Sequence, residues 1–177
     1  QFDKPIAEYG LVREKIAQMT VECFAAESAV WMVAHYIDSG CEDYSVEAAI
    51  TKVFASEAMQ RTAYESLQIA GGNGYMRELP YEQYVRDARI NMIYEGTNTI
   101  QPLDLLGGKV LADNGKKLKK FGKLVTEFIE EEGTNEAMQE FINPLADLGD
   151  KVTKLTTELG MKAFGNADEV GAAAVDY

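Results

Sequence analysis

A chain of 177 residues with 29 acidic and 17 basic side chains, a net charge of −12, has no surplus of Lys and Arg to neutralise a phosphate backbone or an anionic membrane surface, so no nucleic-acid partner is expected. A single histidine, His35, and two cysteines 18 positions apart, Cys23 and Cys41, form no ligand cluster, so no metal is expected. Four prolines and abundant Ala, Glu, Lys, Leu and Met predict a mostly helical chain, one compact domain or a domain with an appendage.

A Ser-His-Asp hydrolase would need His35, which sits in an apolar run and reads as a packed side chain. With no basis for a disulfide, the expected setting is a reducing one, cytoplasmic and bacterial. No run approaches about 18 apolar residues, so no membrane span is expected. The chain starts Gln1-Phe2 and ends in the small-residue run 171–177, so both ends look cut.

From Pro5 to about Asp38 apolar residues recur at steps of three and four (Ile6, Tyr9, Val12, Ile16, Met19, Cys23), predicting one long helix stopped at Ser39-Gly40. Phe24, Trp31 and Met32 widen its apolar surface, the pattern of a helix buried among others. Ser45 opens a second helix, with Glu47 in its first turn, which Gly71-Gly72-Asn73-Gly74 stops. A third starts after Pro80 and ends near Tyr94. The break at 95–99 precedes a short fourth helix, roughly 100–112, which Thr97 or Thr99 caps. Beyond Asn114 a Lys-rich stretch and then a Glu-rich one read as solvated faces of an amphipathic helix. The last helix carries Leu145, Leu148, Val152, Leu155 and Leu159, a seam expected to pack within the bundle. The predicted fold is all-α, an up-and-down helical bundle over 1–112 with a helical extension over 113–177.

Two segments carry candidate chemistry. Gln68-Ile69-Ala70-Gly71-Gly72-Asn73-Gly74 follows a helix rather than a strand, which excludes a Rossmann loop. It reads either as a helix stop or as backbone that approaches a phosphate or adenosine, with Gln68 as a donor. Glu95 follows Ile90-Asn91-Met92-Ile93-Tyr94 and precedes Gly96 at a break between helices. A loop carboxylate is ordinarily a surface charge. One facing an apolar cleft has its pKa raised by desolvation and can take a proton near neutrality.

Ile93-Tyr94-Glu95-Gly96-Thr97-Asn98-Thr99-Ile100-Gln101 resembles the active-site segment of the acyl-CoA dehydrogenases. The segments Phe2-Asp3-Lys4-Pro5-Ile6, Gly10–Met19, Leu67–Tyr75 and Arg86-Asp87-Ala88-Arg89-Ile90 are similar to others of that family in the same order, Gly10–Met19 especially to its very-long-chain branch. Residues 104–177 resemble the extension of larger bacterial members. Asp3, Gly10 and Thr99 depart from the Gly, Gln and Gln common there. The resemblance implies an FAD-dependent enzyme in which Glu95 removes the α-proton of an acyl-CoA, giving a trans-2-enoyl-CoA. It also implies that Gln68, Gly71, Gly72, Thr97 and Thr99 touch FAD and that Gly96 lies beside substrate. An electron-transferring flavoprotein is the implied acceptor and a homo-oligomer, dimer or tetramer, the implied assembly. Alternatives are an acyl-CoA oxidase on the same scaffold and a non-catalytic helical assembly module. The 177 residues alone are expected to be inactive. Arg86 and Asp87 are read as structural, tying helix to loop.

Overall fold

Long runs of helix formers punctuated by Gly, Pro and Asn give helices and turns alone. A computed structural model, which describes residues 3–94 and 96–177, contains seven α-helices and no strand among those residues. The chain is all-α, as its composition implied. It divides into two compact units, Gln1–Asn98 and Thr99–Tyr177. That division marks where packing changes, a different quantity from the 112/113 boundary at which the bundle resemblance was expected to end.

The first unit is built on α1 (Gly10–Asp38), α2 (Ser45–Ala70) and α3 (Tyr81–Ile90). The helix expected from Pro5 starts later. Residues Ile6–Glu8 form a 3-10 turn, and Tyr9, extended at ψ 135°, separates it from α1. Arg13 ties the two by donating to the Glu8 carbonyl at 3.0 Å. A short connection returns the chain as α2, antiparallel to α1. Lys15 pairs with Glu65 and Glu22 with Arg61, so residue numbers fall on one helix as they rise on the other. These pairs are partly exposed, each worth about 0–1 kcal/mol, so they set register more than stability.

The start of α2 is capped by Asp43 rather than by Ser45. The Asp43 carboxylate accepts from the Ser45 backbone N–H at 3.2 Å and from its hydroxyl at 2.8 Å. Val46, Ala49 and Ala58 of α2 are buried, whereas α1 contributes no fully buried residue. Phe24 and Trp31 remain 72% and 69% exposed and His35 is exposed, so the burial expected for α1 is not what the fold gives. The period of three and four made a helix; α2 covers only one stripe of it.

In the second unit α4 (Ile100–Leu103) runs directly into a π-helical stretch, Asp104–Leu111, where an ordinary short helix was expected. Gly107 and Gly108 fall inside it, and a Cβ on Gly108 would stand 2.5 Å from the Asp104 carboxylate. Lys109 and Asp104, five apart, pair across it as wide turns allow. Thr99, one of the two residues offered as a cap, occupies the position before α4 in αR conformation and makes no side-chain capping bond.

Next comes α5 (Lys116–Glu132). Its first amides are held by the Asp113 carboxylate, at 3.0 Å to Lys116 and 3.1 Å to Lys117. Then follow α6 (Gln139–Gly165) and α7 (Asp168–Ala173), the last unforeseen in the sequence. The core here is Leu106, Leu159 and Ala174, flanked by Leu111, Val170 and Tyr177. Of the leucine seam on α6 only Leu159 is buried; Leu148, Val152 and Leu155 stay exposed, so the seam does not pack as expected. No helix among the described residues is long and apolar enough to cross a membrane.

Leu106 is wholly buried and Leu148 is 55% exposed. Leu106→Ala is expected to cost about 2–5 kcal/mol through lost burial and the cavity left. At Leu148 the same change should stay within about 1 kcal/mol. Urea unfolding followed by helical circular dichroism checks the contrast.

Candidate functional site

Gln68, Gly71 and Gly72 lie at the C-terminal end of α2, and Gly96 lies against its first half. At its C-terminal end α2 stops because Gly71 adopts φ 60°, ψ −138°, a conformation costly for any side-chain-bearing residue. The chain then tightens into the 3-10 turn Gly71–Tyr75. Gln68, Gly71 and Gly72 are exposed there, and a Cβ at Gly71 or Gly72 would meet nothing within 4 Å. Gly74, not singled out in the sequence, is the crowded one. It is buried, and a Cβ on it would stand 2.5 Å from the Leu67 carbonyl oxygen.

At the other end α3 ends at Ile90, four residues before the expected limit, and a turn follows. Arg86 pairs with Glu82, and Asp87 accepts from the Gln83 amide at 2.7 Å, so both act within α3 rather than between helix and loop. The Asn98 N–H donates to the Met92 carbonyl at 3.0 Å and closes a loop over the residues between. Glu95, the middle position of that loop in sequence, lies outside the described residues, as does Phe2. Gly96 and Thr97 are half-buried, and Gly96 takes φ 89°, where a glycine is required.

The loop is pinned to the first half of α2 by three side chains that the sequence reading passed over. The Lys52 ammonium donates to the Gly96 carbonyl at 2.6 Å and to the Asn98 Oδ1 at 2.7 Å. Because an ammonium only donates, the atom facing it must be the amide oxygen, which fixes the Asn98 orientation. Its Nδ2 then donates to the Ser56 hydroxyl at 3.0 Å and reaches Glu57 Oε1 at 3.4 Å. Ser56 is buried and passes its own proton to the Val53 carbonyl at 3.1 Å. The available signal was Lys52 and Ser56 at i, i+4 on one face of α2, with a polar Asn98 inside an otherwise recognisable segment.

The two groups are not brought together within the chain. Lys52 and Gln68 lie 16 residues apart on α2, about 24 Å at 1.5 Å per residue. Thr99, the remaining candidate, is exposed and belongs to the second unit.

The model of the acyl-CoA dehydrogenase C-terminal domain matches residues 1–111. The chain belongs to the acyl-CoA dehydrogenase family. It is 41% identical over 122 residues to the human mitochondrial very long-chain specific acyl-CoA dehydrogenase, covering 69% of this chain and 18% of that protein. It is 40% identical over 111 residues to the short-chain specific acyl-CoA dehydrogenase of Megasphaera elsdenii, covering 63% and 28%. The solved acyl-CoA dehydrogenase of Bacillus anthracis, complexed with FAD, is similar at TM-score 0.59 and 32% identity, covering 74% of this chain and 26% of that one. The chain thus spans less than a third of the length of the curated relatives it matches.

Gly74→Ala is expected to destabilise the first unit by about 1–3 kcal/mol, since the backbone oxygen it meets cannot swing away. Gly72→Ala, with open space around it, should stay within about 0.5 kcal/mol. Thermal unfolding of the two variants side by side checks the difference.

Proposed function

We propose that the chain is the C-terminal helical part of an FAD-dependent acyl-CoA dehydrogenase, its family domain running over 1–112 and a helical extension over 113–177. In this reading Glu95 takes the α-proton of an acyl-CoA thioester. The observation that carries it is the segment 93–101: a family-like sequence at a helix break, with Gly96 and Asn98 on either side of Thr97 anchored to α2. Membership of the family supports the reaction class.

Residues 68–72 fit a bound flavin nucleotide in one respect: Gly71 and Gly72 leave exposed backbone with no atom in the way. Gln68, Gly71, Gly72, Thr97 and Thr99 would hold FAD, which when bound accepts the β-hydrogen as hydride, so that a trans-2-enoyl-CoA results. The chain's own work is proton abstraction and charge stabilisation. Gly96, lacking a side chain, leaves room for the thioester beside the base. The backbone N–H of residue 95 polarises the thioester carbonyl, stabilising the enolate-like charge that develops as the α-proton leaves. The family resemblance assigns the Gln68–Gly72 segment to the cofactor of a neighbouring copy, and on that reading the working enzyme is a homo-oligomer. An electron-transferring flavoprotein is the acceptor. The named relatives are dehydrogenases, which favours that reading over an oxidase.

Glu95→Gln in the full-length enzyme keeps the shape and removes the base. Turnover of acyl-CoA should fall on the order of 10²- to 10⁴-fold, the usual worth of a general base. Steady-state assays with a flavoprotein acceptor measure it; turnover that survives largely intact overturns the assignment.

A further inference from the structure

Among the described residues of the first unit, one cation is turned inward on a loop rather than paired across two helices. Lys52 has no carboxylate among its two close acceptors, the Gly96 carbonyl and the Asn98 Oδ1. Both acceptors are uncharged, so the ammonium gives up water for a defined geometry rather than for charge neutralisation. Its first acceptor belongs to the residue that follows position 95. Its second belongs to the residue whose N–H closes the loop on Met92. The Ser56 hydroxyl, buried and itself satisfied by the Val53 carbonyl, holds the other face of the same Asn98 amide. Position 95 is thus framed in sequence by Gly96 after it and the Met92–Asn98 closure around it, and both Gly96 and Asn98 are held by side chains of α2.

We propose that Lys52, acting through Gly96 and Asn98, is a positioning residue for the base at position 95, fixing the loop so that proton abstraction occurs from a preorganised geometry. The inference rests on the reading of Glu95 as the base. Lys52 itself touches neither substrate nor proton. A side chain on α2 suits this task because helix positions are held more tightly than loop positions. Freed of Lys52, residues 96–98 keep their backbone closure but lose two donors, and the loop samples geometries in which a base is misplaced. A displacement near 1 Å costs on the order of 10²-fold in rate without weakening substrate binding in proportion.

The test uses Lys52→Met in the full-length enzyme, which retains much of the apolar stem and removes the donors. The kcat should fall on the order of 10- to 100-fold, with KM for acyl-CoA and flavin content held within about twofold. Lys52→Arg, which keeps charge and donors, should recover most of the loss. Solvent deuterium incorporation at the α-carbon of a bound thioester unable to lose its β-hydrogen should slow in parallel with kcat, a readout that a merely structural tie does not move. The inference is overturned if Lys52→Met turns over and exchanges at the wild-type rate. It is equally overturned if the loss is wholly explained by missing flavin and a lowered melting point, with kcat per bound flavin unchanged. Should Lys52→Met fail to fold, Lys52→Gln, which keeps one shorter donor group, is read by the same criteria. An active Glu95→Gln enzyme would remove the underlying assignment. An inactive Glu95→Gln beside a fully active Lys52→Met would remove only the positioning role.

Discussion

The contact of the Lys52 ammonium with the Gly96 carbonyl and the Asn98 amide oxygen joins the least regular stretch of the first unit to its central helix. Much else in that unit is arranged so that α2 can serve as the fixed frame. The ion pairs Lys15–Glu65 and Glu22–Arg61 set its register against α1, the Asp43 carboxylate holds its first turn, and Gly71 ends it sharply. Surface pairs of this kind add little energy singly. Their effect is directional: α2 cannot slide along α1 without breaking them, and a helix that cannot slide delivers Lys52 and Ser56 to one place.

A loop needs such a frame for a backbone reason. Past the turn bonds of Asn91–Tyr94 no regular helix resumes until Ile100, so the carbonyls and N–H groups of residues 96–99 must find partners elsewhere or meet water. Gly96 at φ 89° lets the chain reverse, and the Asn98 N–H to Met92 carbonyl bond shuts the base of the reversal. Neither specifies where the loop stands against α2; the Lys52–Asn98–Ser56 set does. A satisfied polar cluster tolerates few arrangements, because each rotated amide or withdrawn donor strands a group that has already left water. An apolar patch of equal size would have stabilised many.

What the sequence disclosed follows from which interactions are local. The helices at Ser45–Ala70 and Tyr81–Ile90, and the stop at Gly71, are written in period, proline and glycine, and were legible. The 3-10 turn before α1, the Asp43 cap and the π-helical stretch at Asp104–Leu111 were not, since each depends on side chains meeting a backbone whose path the period does not give. Gly74 was hidden among its neighbours for the same reason: three glycines look alike in sequence, and only the Leu67 carbonyl shows which one the fold requires. Burial was the least legible quantity. A helix apolar on several sides announces that it can be covered, and α1, with Trp31 and Phe24 largely exposed, shows that one neighbour covers one stripe.

The candidate site divides along the same line. Motif residues such as Gly96 and Thr97 stand out because they lie in a segment that resembles a family's active-site segment, whereas Lys52 is an ordinary helix former in an ordinary helix. Its role becomes visible only when a chain separation of 44 residues is folded into 2.6 Å. The shared match to very long-chain and short-chain specific relatives, at 41% and 40% identity, sharpens the point. The matched helices carry sequence that relatives named for different acyl chains have in common. On the proposed reading, a frame for the base belongs in this shared part of the molecule, and the acyl-chain pocket need not. A cation held by two uncharged oxygens of the loop suits such a frame, because the contact fixes the loop through its backbone and one amide rather than through any group an acyl chain would touch.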